Sequence, residues 1–210
     1  MNSLLMIATI GVLYIVIFGG LGLIRREGLS TQFALEALGI TAVVIIWEFL
    51  TNITVHPIFF LIFIYLITMR VRLVVDVANF LSNRGRQRDA IKVLQFALRL
   101  FPDQSSRLVV LVNMGIVQLR RKNPESAQEL FEMVLEKSKD GGFGIKYEAA
   151  CRYNFGVALQ QQGKDAQAVH HFNEVTIIYP NSIYSKGADI ALQKRTRGKR
   201  QKTDESADDT

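Results

Sequence analysis

Few side chains in this sequence are placed to make or break bonds. His170 and His171 are adjacent in a segment with helical periodicity, so their side chains point about 100° apart and cannot converge on one metal ion. The single cysteine, Cys151, follows two alanines on a helical stretch, which favours a small packed residue over a nucleophile. The sequence also carries no Gly-rich phosphate loop and no His-Glu metal motif. It therefore predicts a protein that is not an enzyme, with no catalytic residue, no metal and no cofactor.

Two carboxylates stand in strongly apolar surroundings. Glu36 and Glu48 interrupt the stretch Phe33–Val55, and ionisable groups at membrane depth often mark paths for ions or protons. Each lies near an end of its apolar run, and no basic residue inside the runs is available to pair with it. We therefore expect both to be solvated at the interface. The alternative is an accessory subunit of a transporter or membrane enzyme, with both glutamates at an intramembrane interface.

The charges are unevenly distributed along the chain. Of its 210 residues 49% are hydrophobic, and 25 Lys and Arg stand against 19 Asp and Glu. Nearly all of these charges follow residue 69. The composition excludes a disordered chain, a collagen-like chain and a disulfide framework. It indicates a membrane domain at residues 1–69 followed by a domain in water.

The membrane domain contains three apolar stretches. Leu4–Ile24 has no charged residue and is long enough to cross a hydrocarbon core of about 30 Å as a helix. After the second stretch comes a short connection, Thr51–His56, and Pro57 then suits the first turn of a new helix. The sequence predicts spanning helices at 4–24, 33–55 and 57–75.

Positive charge predicts the orientation of these helices, because Lys and Arg in short flanking loops stay on the cytoplasmic side. With the N-terminus outside, every basic residue falls inside. This predicts a multi-pass protein of the plasma (inner) membrane with a cytoplasmic C-terminal domain. The arginines predicted at the membrane surface are Arg25, Arg26, Arg70, Arg72, Arg84, Arg86 and Arg88.

From residue 71 onward, apolar residues recur with helical spacing and also with a longer period. Aligning Ala90, Ala127 and Ala168 brings a bulky apolar residue into register four positions after each alanine. Upstream of each alanine lies a second amphipathic segment with a small residue where two helices would cross. These small residues are Ala78, Gly115 and Gly156.

The pattern resembles the tetratricopeptide repeat family, and the best match runs from Asn154-Phe155-Gly156 through Ala168 and Phe172 to Pro180. The resemblance covers residues 71–195 and implies helix-turn-helix repeats at about 71–104, 108–141 and 149–182, with a capping helix at 182–195. The predicted fold class is all-α: N-terminal transmembrane helices followed by a short α-solenoid of this type.

No Gly or Pro lies between Pro57 and Gly85. We therefore expect one continuous helix of about 27 residues, whose first part crosses the membrane and whose last turns form the first helix of the first repeat. Such a helix would fix the solenoid rigidly to the bilayer.

In this family the first helix of each pair lines a concave face that usually binds peptides. The groove residues implied by the resemblance are Val75, Asn79, Ser82, Val112, Asn113, Ile116, Tyr153, Asn154, Val157 and Gln161. Asn79 and Asn113 match two asparagines with which chaperone-tail receptors of the family hold a terminal carboxylate. Uncharged residues replace the basic members of that clamp, so acidic chaperone tails are not expected. Asparagine amides can still hold the backbone of an extended segment.

The last residues, 196–210, are basic and then acidic, which predicts a disordered tail. Anionic lipids are a candidate ligand for its basic part, and nucleic acid is not expected. Taken together, the sequence predicts an integral membrane scaffold or adaptor. Its cytoplasmic domain would bind a protein partner, either a peptide segment or a subunit of a membrane complex, and assist assembly of that complex.

Overall fold

The computed structural model describes residues 3–24, 31–141 and 143–208, and it describes side chains in all of these except 22–23 and 198–208. Within these ranges the chain forms ten α-helices and no β-strand. The predicted all-α fold class is therefore confirmed.

The helices form an N-terminal bundle and a stack of hairpins. The bundle consists of α1 (Ser3–Ile24), α2 (Thr31–Thr51) and α3 (Pro57–Thr68). The hairpins pair α4 (Arg70–Asn83) with α5 (Gln87–Leu98), α6 (Gln104–Arg120) with α7 (Pro124–Ser138), and α8 (Ile145–Gln161) with α9 (Asp165–Ile178). A final helix, α10 (Ile183–Asp208), packs on α8 and α9.

Two helices of the bundle, α1 and α2, are long and apolar enough to cross a membrane. The interior of the bundle is small and includes the buried residues Ile7, Ala37 and Phe60. Many other large apolar side chains of the three helices point outward and have no cover within the described chain. An exposed apolar surface of this extent suits lipid rather than water.

The third apolar helix is bent, and the prediction of one continuous helix is wrong at this point. At Met69 the axis turns by 69° between α3 and α4, although neither Gly nor Pro is present. The Thr68 hydroxyl donates to the carbonyl of Ile64 at 2.7 Å, and the Arg70 guanidinium donates to the carbonyl of Ile67 at 2.8 Å. Side chains that bond into the helical ladder in this way bend helices.

The bend also shortens the third apolar helix. At about 1.5 Å per residue, the 12 residues of α3 extend roughly 18 Å. This helix reaches the length of a span only when it is counted together with α4.

Close helix crossings build the hairpins of the stack. A Cβ added at Gly115 would lie 2.5 Å from the Phe131 ring, and one added at Gly156 would lie 2.6 Å from the Phe172 ring. Both phenylalanines are buried. Glycine is required at these two positions because the aromatic ring of the second helix occupies the space of its missing side chain.

The C-terminal helix extends further than the sequence predicts. α10 continues to Asp208, whereas a cap ending at residue 195 and a disordered tail from 196 were expected. Seven of the 13 residues 196–208 are Lys, Arg, Gln, Glu or Ala, which have high helix propensity, and none is proline.

Candidate functional site

The helical stack has an inner and an outer layer, and the contacts between helices identify them. α4 contacts α6, α6 contacts α8, and α8 contacts α10, whereas α5, α7 and α9 make no contact with one another in the described chain. Helices that touch their equivalents lie on the concave side of a curved stack, and those that spread apart lie on the convex side. The inner face is therefore formed by α4, α6 and α8, which carry all the predicted groove residues.

Three of the predicted groove residues do not belong to a binding surface. Val75, Ser82 and Val112 are buried in the structure. The two valines belong to the apolar cores between hairpins, and the Ser82 hydroxyl is held between Gln87 and Arg120. The prediction is wrong for these three residues, because the inner face of a helix in a stack also supplies its contacts to the next hairpin.

Asparagines on successive helices form the polar centre of the inner face. Asn79, Asn113 and Asn154 are all partly exposed. The amide nitrogen of Asn113 donates to the carbonyl of Val109 at 2.8 Å, and that of Asn154 donates to the carbonyl of Ala150 at 2.7 Å. Each of these bonds uses one of two N–H donors and leaves the amide oxygen as an acceptor. The arrangement suits hydrogen bonding to the backbone of a bound segment.

Apolar residues flank these asparagines on the same helices. Ile116 and Val157 are partly buried and pack at the edge of the larger core, and Gln161 is exposed at the end of α8. The described inner face thus offers amides and small apolar patches to a ligand.

Tyr153 has a different role from the one predicted. Its ring lies 5.9 Å from that of Phe172 and 6.1 Å from that of Tyr184 on α10. A Cβ added at Gly187 of α10 would lie 2.8 Å from the same ring. Tyr153 therefore docks the C-terminal helix against α8, and this docking covers much of its side chain.

A hydrogen bond that the sequence does not suggest crosses the inner face. The Arg72 guanidinium on α4 donates to the Tyr147 hydroxyl on α8 at 3.2 Å. Because α6 lies between these two helices in the stack, the bond bridges the first and third hairpins near the first turns of their inner helices. Arg72 was predicted at the membrane surface, and the structure directs it to the inner face instead.

The bundle and the stack are joined through Arg70. Its guanidinium forms a bidentate ion pair with Glu36 on α2, at 2.6 and 2.8 Å. The same group donates to the carbonyls of Leu100 and Phe101 in the loop after α5. Gln32 donates to both Glu36 and the Phe101 carbonyl. A single side chain thus links the apolar helix α2, the bend and the first hairpin.

This junction corrects two sequence predictions. Glu36 has an ion-pair partner within the chain, whereas the sequence offered none inside the apolar runs. Arg70 is directed into the junction rather than to lipid headgroups, and its side chain is only 25% exposed. No sequence signal identified the pair, since the two residues lie 34 positions apart. The available signal was a change of pattern at residue 70. Before it the helices are apolar on all sides, and after it they are apolar on one side, which indicates a new element.

Glu48 was expected to reach water, and the structure buries it instead. It is 5% exposed, and its Oε2 has no hydrogen-bond partner in the described chain. Since Glu36 is paired internally and Glu48 is enclosed by the chain's own helices, neither supports an interface with a second subunit.

Among the other predicted surface arginines, Arg84, Arg86 and Arg88 are exposed in the structure. Arg25 and Arg26 lie outside the described residues.

The groups considered for catalysis are Cys151 and the neighbouring residues His170 and His171, whose rings lie 5.4 Å apart. Cys151 is buried, and burial raises the pKa of its thiol well above the ordinary value. His171 borders an open cavity of about 550 Å³ between α7, α8 and α9, and burial against Phe155 lowers the pKa of its imidazole to about 4. His171 is therefore neutral at pH 7. No cluster of three or more His, Cys, Asp or Glu residues that could hold a metal occurs in the described part of the chain. That the protein is not an enzyme stays a prediction.

Comparison with known protein families gives a match over one part of the chain. Residues 150–182, which include α8 from its second turn and all of α9, match the family model described as Tetratricopeptide repeat. This is the segment in which the sequence resemblance was strongest. No curated protein matches the chain.

Proposed function

We propose that this chain is an integral membrane scaffold. Residues 150–182 match a tetratricopeptide repeat and lie within a larger stack of helical hairpins, and such repeats serve protein–protein interaction. The helical domain binds a segment of a protein partner along the inner face of α4, α6 and α8. The observation that carries the proposal is the row of asparagines, Asn79, Asn113 and Asn154, on successive inner helices. Amides placed in this way pair with the backbone of an extended segment and require no charged partner.

The membrane orientation in this proposal follows from charge. The N-terminus lies outside, α1, α2 and the bent α3 occupy the inner membrane, and the helical domain lies in the cytoplasm. Lys and Arg flank the cytoplasmic ends of the helices in this arrangement, and the loop between α2 and α3 has neither.

The mechanism is binding and placement, with no bond made or broken. The junction at Arg70 holds the first hairpin against the membrane bundle, so a segment on the inner face is held at a fixed position relative to the bilayer. That geometry suits a protein that assists assembly of a membrane complex, by holding one subunit where another is inserted or joined.

A photo-crosslinking experiment tests the binding face. We expect benzoylphenylalanine at Ile116, on the inner face, to give a discrete crosslinked partner in native membranes. Met133 is exposed on the outer helix α7, and the same probe there should give none. Replacing Asn79 and Asn113 together with alanine should lower the crosslink yield at Ile116 several-fold and leave membrane insertion unchanged. Equal crosslinking from both positions, or a yield unaffected by the double substitution, contradicts the proposed face.

The orientation is tested by cysteine labelling, for which this chain is well suited because its single cysteine is buried. A membrane-impermeant maleimide added to intact cells should label Ile53→Cys, in the loop between α2 and α3. It should label Ile177→Cys on α9 only after the cells are opened. Labelling of Ile177→Cys in intact cells would place the helical domain outside the cell and exclude a cytoplasmic scaffold.

A further inference from the structure

The first helix of the stack carries a second apolar face, of which Leu73 is partly buried and Val77 and Phe80 are exposed. One face of α4 is buried against the other hairpins through Val71, Val75 and Ala78. On nearly the opposite side of the helix, Leu73, Val77 and Phe80 follow one another at spacings of four and three residues, which places them in one stripe. Val77 is 52% and Phe80 is 53% exposed. An apolar stripe that is exposed on a helix in this way marks a site of interaction.

Arginine residues stand at both ends of the stripe. Arg70 precedes Leu73 by three positions, and Arg84 follows Phe80 by four, so both lie on the same side of α4. The Arg84 guanidinium is stacked over the Phe80 ring at 4.2 Å. Arg70 is engaged in the junction with Glu36, whereas Arg84 is exposed. An exposed arginine beside an apolar stripe is typical of helices that lie in the interface of a bilayer, where its long side chain reaches the headgroups.

The contacts of Arg70 show which way this face points. Its side chain reaches Glu36 on α2, one turn from the end of an apolar helix long enough to cross a membrane. The stripe shares that side of α4 and is therefore turned toward the bundle. Since α4 leaves α3 at 69°, a chain with α3 along the membrane normal has α4 close to the membrane plane.

The groove side of α4 is a third and separate face. Arg72, Asp76 and Asn79 lie roughly 100° around the helix from the stripe, and Arg72 bonds to Tyr147 across the inner face. Covering the stripe therefore leaves the inner face open.

An exposed aromatic residue stands beside this surface. Phe101 is 85% exposed and has a φ of 51°, an unusual backbone conformation for a bulky residue. Its carbonyl is held by both Arg70 and Gln32, which places it level with the first turn of α2. Aromatic residues are enriched at this level of a bilayer.

We infer that α4 is an interfacial helix: Leu73, Val77 and Phe80, with Phe101 beside them, insert among the headgroups of the bilayer that α1 and α2 cross. The first hairpin then lies on the membrane, and its inner face opens along the surface. The inference rests on the membrane placement in the proposed function, and the following experiment separates the two.

Tryptophan fluorescence in nanodiscs tests the contact. The chain has a single tryptophan, Trp47, which points outward from α2 and reports insertion of the bundle. Replacing Trp47 with phenylalanine allows one new reporter at a time in the full chain, either Phe80→Trp or the control Ile177→Trp. Ile177 is 73% exposed on α9, far along the stack. Tryptophan fluorescence is measured in nanodiscs that hold one chain each. The discs are made either with or without lipids brominated near the headgroup.

Brominated lipid should quench Trp47 in the native chain and Phe80→Trp strongly, and it should leave Ile177→Trp unchanged. A second reporter, Val77→Trp, should behave like Phe80→Trp and covers the case in which the first variant does not fold. If Trp47 is quenched while both α4 reporters match Ile177→Trp, the interfacial helix is excluded and the membrane bundle stands. Reporters on α4 that are shielded from aqueous iodide but unaffected by brominated lipid would assign the stripe to protein contacts and also overturn the inference. An unquenched Trp47 would reject the membrane placement itself.

Discussion

Replacing Arg70 with alanine should release the helical domain from its fixed position on the N-terminal bundle. The substitution removes both hydrogen bonds of the bidentate ion pair with Glu36 and the hydrogen bonds to the Leu100 and Phe101 carbonyls. Breaking a mostly buried ion pair leaves its partner charge without compensation. With the Glu36 side chain 26% exposed, we expect the free energy of unfolding to fall by about 2–3 kcal/mol.

The effect on geometry is measurable as a distance. Spin labels at Ile53 and Ile177 should give one narrow distance distribution in the native chain and a broad one in Arg70→Ala. Arg70→Lys should also broaden the distance distribution, because an ammonium group cannot make the bidentate ion pair with Glu36. The matched control is Arg86→Ala, which removes an exposed ion pair with Asp89 in the same hairpin. Pairs of that kind contribute about 0–1 kcal/mol, so the distribution should stay narrow. A narrow distribution in Arg70→Ala would show that helix packing alone fixes the domain.

Phe131→Ala should cause the largest loss of stability in the stack. Phe131 is fully buried between α6, α7 and α8, where its ring fills the space left by Gly115 and lies 6.3 Å from the ring of Phe155. Truncating a buried phenylalanine costs about 3–5 kcal/mol, through lost apolar burial and the cavity that remains. Since each hairpin is stabilised by its neighbours, a loss in the middle hairpin also uncouples the outer two. Urea unfolding in detergent, followed by circular dichroism, measures the change.

A double substitution sharpens this test. Gly115→Ala alone places a Cβ 2.5 Å from the Phe131 ring and should cost about 1–3 kcal/mol through overpacking. In the double variant with Phe131→Ala, the added methyl group enters the cavity. The loss of stability in the double variant should therefore be smaller than the sum of the losses in the two single variants. Phe96→Ala deletes the same atoms from a side chain that is 53% exposed and should cost much less than Phe131→Ala. Additive losses at Gly115 and Phe131 would contradict the close crossing.

The elements that the sequence predicted well are those with local contacts. Each hairpin joins two helices a few residues apart, and its small and large residues meet within one hairpin, as Gly156 meets Phe172. The turns are equally local: Gly85 and Gly163 have φ values of 78° and 75°, the left-handed conformation that glycine adopts after a helix. His56 accepts a hydrogen bond from the backbone N–H of Ile58 and caps α3 ahead of Pro57. Such signals depend on neighbours in the chain, so one sequence is enough to detect them.

The inner face was only partly predictable. The repeat pattern places Asn113 and Asn154 on inner helices, and the structure agrees. It cannot separate a side chain that faces a ligand from one that faces the next hairpin, because both lie on the same side of the helix. Val112 is buried by its neighbours and Tyr153 is covered by α10, and both depend on the curvature of the stack.

By itself, the sequence determined the apolar helices, the hairpin periodicity and the partition of charge, since each of these is written into the order of residue types along the chain. Only the tertiary structure decided the bend at Met69, the pairing of Glu36 with Arg70 and the bridge from Arg72 to Tyr147. The physical reason is that a charged side chain takes the partner that is nearest in space. For Arg70 and Arg72 those partners lie 34 and 75 positions away, on helices whose placement depends on the packing of the whole molecule.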